Sequence, residues 1–258
     1  RQLIKKNFIK FVGLIIKIVL YRRTMMLNQD NTKNEVVKAL IYLWGPLPVS
    51  QQKTFLDNMH IRKFAKGQII YRDIDEPNRM KLLIYGKVKV FKMGIGGRNQ
   101  IICVVKPMQF FGFRAYFAEE PYMTSAMALE DSTIAYVDME VIVRLMKDNF
   151  NINLFFLKNL SKELGHIADR IVNLTQKHIR ARLAEALILL KDNYGLEEDG
   201  YTLSIYLSRE DLASLSNMTT SNAIRTLSAF ANEKLIAIDG RKIKLLNSEE
   251  LKKINKMG

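Results

Sequence analysis

Between residues 157 and 178, Leu157, Leu160, Leu164, Ile167, Ile171, Leu174 and His178 recur at alternating spacings of three and four. Such positions share one face of an α-helix, so the register dictates one long helix with a continuous apolar seam, flanked by Lys158, Lys162, Glu163, Asp169 and Arg170. A seam of this length predicts pairing with the same helix of a second chain, parallel or antiparallel; the alternative is a helix buried in its own domain. Gly165 costs about 1 kcal/mol of helix propensity relative to alanine and is a candidate for a close crossing or a hinge.

The preceding segment has a different period. From Ile61 to Val137 short apolar runs alternate with glycine, proline and polar turns, the pattern of an all-β barrel or roll. Lys87-Val88-Lys89-Val90-Phe91-Lys92 sets its apolar residues on one face, Gly94 to Gln100 supplies a hairpin connection, and Ile101 to Val105 forms a strand closed by Pro107. Cys103, within that run, is expected in the core. As the single cysteine it excludes an intrachain disulfide and any cluster needing several thiolates, iron–sulfur clusters included, and it favours a reducing, cytoplasmic setting. Upstream, Thr32 to Leu43 and Ser50 to Asn58 read as helices, with Pro46 and Pro48 as the break. The 258 residues, 48% of them hydrophobic, suffice for two modest domains.

The formal charge of +14 calls for a polyanionic partner, but half of it comes from Arg1, Lys5, Lys6, Lys10, Lys17, Arg22 and Arg23. Phe8 to Leu20 is apolar between these charges, too short to span a bilayer, and interrupted by Lys10 and Lys17. Residues 1–26 are read first as an extension that is not native, with Met25 or Met26 as the start. The alternatives are a membrane-surface helix or a helix packed on the body, and no stable membrane association is expected of the body.

After the long helix, Ile179 to Asn193 predicts a second one with Ile179, Leu183, Ala186, Leu187 and Leu190 on its buried face and Gly195 at its end. Gly200 to Leu207 reads as a short strand or strand pair. Ser208 caps a short helix buried through Leu212, Ala213 and Leu215; Asn217-Met218-Thr219 interrupts; Thr219 caps a further helix with Ala223, Ile224, Leu227 and Phe230 inward. Two short helices across so brief a turn make a helix-turn-helix, whose second helix enters the major groove. Its outward residues, Thr220, Ser221, Asn222 and Arg225 with Thr226 at the margin, suit base edges and phosphates, with Ser208 and Thr219 as further hydroxyls at the helix starts. Leu235 to Ile238, the Asp239-Gly240 turn and Arg241 to Leu246 then form a wing with Arg241 and Lys242 at its tip, where it would meet the DNA backbone.

In this order of parts the chain resembles the CRP/FNR family of bacterial regulators from about residue 40 onward. The resemblance rests on Phe64-Ala65-Lys66-Gly67-Gln68-Ile69-Ile70, on Leu82 to Val90, on Phe110-Phe111-Gly112, and on Leu207 to Ala213 continuing through Arg225 to Leu235-Ile236. It implies an α+β chain: a β-roll of the cyclic-nucleotide-binding type over 27–149, a dimerisation helix over 150–178 with Leu157, Leu160, Leu164, Ile167, Ile171 and Leu174 at the interface, and a winged helix-turn-helix over 179–258. It further implies a homodimer on a pseudo-palindromic DNA duplex, with RNA polymerase as a candidate partner.

The departures from that family concern the effector pocket, which the resemblance places at Gly112, Phe113, Arg114, Tyr122, Met123 and Thr124. Members that bind cyclic nucleotides carry a glutamate just after the glycine, where Phe113 stands, and an arginine at the phosphate, where the chain reads Tyr122-Met123-Thr124-Ser125. Tight binding of cyclic AMP is therefore not expected, and the effector is left unidentified. Thr220-Ser221 replaces an Arg-Glu pair common in the family, so the operator sequence differs. Haem has candidate ligands in His60, His166, His178 and the 12 methionines, but no spacing favours it. With no clustered carboxylate pair, metal-spaced set, nucleophile elbow or phosphate loop, an enzyme is not expected. The competing class is an interaction module whose winged domain packs on another protein; weak salt dependence of DNA binding would favour it.

Overall fold

The computed structural model describes residues 29–94 and 97–257; the expectations for the basic, apolar extension and part of the Gly94–Gln100 connection lie outside them. Among the described residues, those up to Asp57 form one compact unit and those from Asn58 another. In the first, α1 (Gln29–Trp44) and α2 (Val49–Asp57) are separated by the expected proline break. Gly45 turns the chain with φ 81°, and Trp44 meets Phe55 edge to face at 5.5 Å.

The second unit begins with eight strands: β1 (Met59–Phe64), β2 (Ile69–Tyr71), β3 (Arg79–Tyr85), β4 (Val88–Met93), β5 (Asn99–Val105), β6 (Phe110–Phe111), β7 (Ser125–Ala128) and β8 (Ser132–Asp138), with the single turn α3 (Arg114–Phe117) before β7. They form two antiparallel four-stranded sheets, ordered β1-β8-β3-β6 and β2-β7-β4-β5. Phe64, Tyr71, Leu83, Val88, Val90, Phe111, Tyr122, Ile134 and Tyr136 fill the roll between them. Gly86 makes the tight β3–β4 turn at φ 94°, where a Cβ would lie 2.7 Å from the Asp131 carbonyl oxygen, a contact only glycine avoids.

Cys103 is exposed, against the expectation of a core position. β5 is an edge strand with one covered face, and a register shift at Val90/Phe91 turns Ile102 and Cys103 outward together while Ile101 and Val105 stay buried.

Helix α4 (Met139–Asp148) leads into α5 (Phe150–Gln176), whose 27 residues span roughly 40 Å. Asn149 caps α5 by accepting from the Asn151 N–H at 3.0 Å. The α5 N-terminal half is held on the roll by Phe155 against Phe110 (5.7 Å) and Phe156 against Phe113 (5.0 Å) and Phe117 (5.5 Å). Toward its other end, Arg170 donates to the Ile101 and Ile102 carbonyls at 2.7 and 2.6 Å. Along the expected seam Leu157, Leu164, Ile167 and Ile171 are 51–69% exposed, with Leu160 and Leu174 half-buried and His178 exposed.

The remaining elements are α6 (Ile179–Tyr194), α7 (Arg209–Leu215), α8 (Thr220–Asn232), β9 (Ile236–Asp239), β10 (Lys242–Leu245) and α9 (Ser248–Met257). Leu183, Leu187, Leu190, Leu212, Leu227, Phe230, Ile236, Ile243 and Leu251 make their common core. Gly195 ends α6 at φ 75°, its N–H returning to the Lys191 carbonyl at 2.8 Å. Ile179, expected on the buried face, is 36% exposed: its place in the first turn leaves it outside the packed layer. Gly200–Leu207 forms isolated bridges, Leu196 to Leu203 and Thr202 to Lys244, instead of a strand pair. Asp199 explains the irregularity, since its carboxylate accepts from the Tyr201 and Thr202 N–H groups and the Thr202 hydroxyl, which bends the chain.

Candidate nucleic-acid interface and sensor site

The Ser208 hydroxyl accepts from the Asp211 N–H at 3.0 Å and donates to the Asp211 carboxylate at 2.7 Å, so it is committed to starting α7. Asn217 carries the turn at φ 50°, a conformation asparagine tolerates. Thr219 accepts from the Asn222 N–H at 3.2 Å and begins α8. Ala223, Leu227 and Phe230 bury one face, leaving Thr220, Ser221 and Arg225 exposed on the other; Arg225 donates to the half-buried Asn222 at 2.5 Å.

Ile224, expected inward, is 47% exposed. It stands 100° around the helix from Ala223, off the face that Leu227 and Phe230 continue. Sequence reasoning assigned it to the core by residue type; the angular position was the available signal. An exposed isoleucine beside Arg225 suits a thymine methyl group.

β9 and β10 turn through Gly240 and Arg241, with Gly240 at φ 54°. Arg209, on α7, donates to the Gly240 carbonyl at 2.7 Å and so ties the wing tip to the helix-turn-helix. Arg241 and Lys242 are exposed at that tip. The cations of the wing and recognition helix thus lie on separate projections braced by a common core.

The roll grips the first helix of the motif. Lys89 pairs with Asp211 at 2.6 Å with both side chains largely buried. The Ser214 hydroxyl accepts from the Ile101 N–H at 2.7 Å and donates to the Asn99 carbonyl at 2.6 Å, satisfying the open edge of β5. Gln100 donates to the Ser214 carbonyl, and Val104 and Leu129 pack on the winged-domain core. Position and charge at α7 are therefore linked directly to the β4–β5 hairpin.

The residues expected in the effector pocket fall into two groups. Gly112 and Tyr122 meet: the Tyr122 hydroxyl donates to the Gly112 carbonyl at 3.0 Å, Gly112 has φ 76°, and the Tyr122 ring stacks on Tyr71 at 4.0 Å. The Thr124 side chain lies near enough to the Tyr71 phenol to oppose part of the upward shift that burial gives it. Phe113 is buried against Phe117 and Phe156, whereas Arg114 pairs with Glu120 at 2.7 Å and Met123 is 49% exposed.

Lys81 is the residue sequence reasoning missed. On β3 it faces Phe111 on one side and Tyr136 on the other, and it is 4% exposed. Its ammonium donates to the Tyr122 hydroxyl at 2.7 Å and the Arg79 carbonyl at 2.9 Å, and lies 4.9–5.7 Å from the ring centres of Tyr71, Tyr122 and Tyr136. Burial, reinforced by Arg79 and opposed by Asp75, pushes its pKa down to about 7. The same burial pushes the Tyr71 and Tyr136 phenols up to about 12. A charged residue inside Arg79-Met80-Lys81-Leu82-Leu83 was the available signal, but its alternation was hidden because the strand is covered on both faces.

Among the described residues no three or more of histidine, cysteine, aspartate and glutamate come together as a metal site, and no helix is long and apolar enough to cross a membrane.

Residues 61–149 match the cyclic nucleotide-binding domain and residues 181–254 the Crp-like helix-turn-helix domain. A CRP-like cAMP-activated global transcriptional regulator of Mycobacterium tuberculosis is 23% identical over 189 residues, covering 73% of this chain and 84% of the relative. Among solved structures, FixK2 from Bradyrhizobium japonicum aligns at TM-score 0.69 and 21% identity, covering 76% of this chain and 97% of its own. TTHA1359, a CRP/FNR-family transcriptional regulator from Thermus thermophilus, aligns at TM-score 0.62 and 24% identity, covering 76% and 98%.

Proposed function

From the premise that the chain belongs to the CRP/FNR family of transcription regulators, a family of regulators and not of enzymes, we propose that it acts as a homodimer on a pseudo-palindromic operator under the control of an effector bound in the roll. The observation that carries this reading is the pairing of a braced recognition helix and basic wing with an uncovered apolar stripe on the long helix. Two-fold pairing along that stripe would present two recognition helices to half-sites about one DNA turn, 34 to 36 Å, apart.

In this reading Arg225 reads a base, Thr220, Ser221 and Asn222 contact bases and phosphate at the start of α8, and Arg241 and Lys242 contact the backbone beside it. Ser208 and Thr219 contribute mainly by shaping the helix starts. The effector is not cyclic AMP: Phe113 stands where the ribose-binding carboxylate would be, and its ring is locked against Phe117 and Phe156. A signal from the roll has two routes, Phe113 to Phe156 on α5, and the β4–β5 hairpin to Asp211 and Ser214 on α7.

Selection from random duplex DNA, with and without cyclic AMP, tests the reading. A palindrome recovered equally in both is expected; dependence on cyclic AMP would reject the assignment of Phe113, and no enrichment would reject an operator read without an effector. On the selected operator, Arg225→Ala should lose about 1 to 3 kcal/mol of affinity and relax one base position per half-site. A uniform loss across sequences, with a shallower salt dependence, would move Arg225 from a base to a phosphate.

A further inference from the structure

We propose that the roll interior recognises a small anion, carboxylate or phosphate, through the ammonium of Lys81, a cation delivered from strand β3. The inference deepens the reading of the roll as a sensor and rests on it.

Three observations converge. Lys81 is buried with no carboxylate paired to it among the described residues; two of its three N–H donors reach the Tyr122 hydroxyl and the Arg79 carbonyl, leaving one unspent. The Tyr136 hydroxyl, on the residue directly across from Lys81, is buried without a hydrogen-bond partner. Gly112 packs directly on the pair: a Cβ there would lie 3.3 Å from the Lys81 ammonium and 3.2 Å from the Tyr122 hydroxyl, so its missing side chain is what lets the backbone come so close to the cation.

An uncompensated buried cation and an orphaned phenol are each unfavourable in an apolar core, and one anion remedies both. Its oxygens would accept from the free Lys81 N–H and the Tyr136 O–H, while the rings of Tyr71, Tyr122 and Tyr136 exclude water. The charged groups acting on Lys81 are Arg79 and Asp75, which oppose each other, and Arg62 faces the Tyr136 ring at 5.9 Å; burial holds the phenols of Tyr71, Tyr122 and Tyr136 neutral near pH 7, so Lys81 is the group of the site that titrates there. Because its proton is held only to about pH 7, an anion that pairs with it must raise that midpoint.

The test follows the Lys81 side-chain carbon resonance by NMR in the full chain, titrated with pH in chloride, in acetate and in inorganic phosphate at equal ionic strength, alongside melting curves of wild type and Lys81→Met. Acetate or phosphate at millimolar concentration is expected to move the Lys81 midpoint from about 7 to above 8 and to raise the wild-type Tm by a few degrees more than that of Lys81→Met. A response to only one probe assigns the head group as carboxylate or phosphate. An unchanged Lys81 midpoint, or equal Tm shifts in both proteins, would overturn the proposal. None of these readouts uses DNA, so a wild type that selects no operator would reject effector-independent operator binding without touching the anion site.

Discussion

Lys81→Met is expected to stabilise the protein at pH 6 by roughly 2 to 4 kcal/mol in urea unfolding, an unusual sign for the loss of a fully buried side chain. Methionine has a similar volume and suits the aromatic cage formed by Tyr71, Tyr122 and Tyr136. What it removes is an ammonium whose pKa falls from 10.5 to about 7 on folding. Below pH 7 both folded and unfolded chains are protonated, and the folded chain bears the whole cost of the buried charge. Between pH 7 and 10.5 the unfolded chain holds more protons than the folded one, so wild-type stability rises with pH. Above 10.5 neither is charged and the cost is gone. The advantage of Lys81→Met is therefore largest below pH 7 and should shrink toward zero near pH 10. A variant less stable than wild type at every pH would mean that the hydrogen bonds to Tyr122 and Arg79 outweigh desolvation, and the case for an unsatisfied cation awaiting an anion would fail with it.

That residue also marks where the sequence stopped being legible. Periodicity made the long helix readable, because a seam of Leu157, Leu164 and Ile171 needs no tertiary information to specify a face. The helix starts at Ser208 and Thr219 and the stop at Gly195 could be read because capping is local chemistry. The sequence was not legible where the decision belonged to the tertiary structure. Cys103 follows its apolar neighbours in sequence but lies on an edge strand past a register shift. Ile224 has a core residue's chemistry and a surface residue's angle. A lysine in a strand is ordinarily at the surface, and only the antiparallel pairing of β3 with β6 and β8 sets Lys81 beside Gly112 and Tyr136. The residues named from the Gly112 and Tyr122 segments did not include Lys81, which reaches them from a strand distant in sequence.

The second large effect is expected at the long helix: Leu164→Asp with Ile171→Asp should convert a dimer into a folded monomer in sedimentation equilibrium and weaken operator binding by a factor of about 1,000 or more. In the single chain Leu164 and Ile171 are 69% and 59% exposed, so the substitutions disturb no packing within it, and far-UV circular dichroism and Tm extrapolated to the monomer should be nearly unchanged. In the paired state each leucine or isoleucine contributes about 1 to 2 kcal/mol by leaving water, and the dimer carries two copies of each. The aspartates forfeit that gain and place four like charges along one seam, where they would have to be desolvated or neutralised. The loss of DNA binding follows because one recognition helix bears only one half-site, while the contacts of Phe155, Phe156 and Arg170 that fix α5 to the roll remain in place. A double variant that still sediments as a dimer would show that the stripe is covered by something other than its own copy, and the two-fold operator would lose its structural basis.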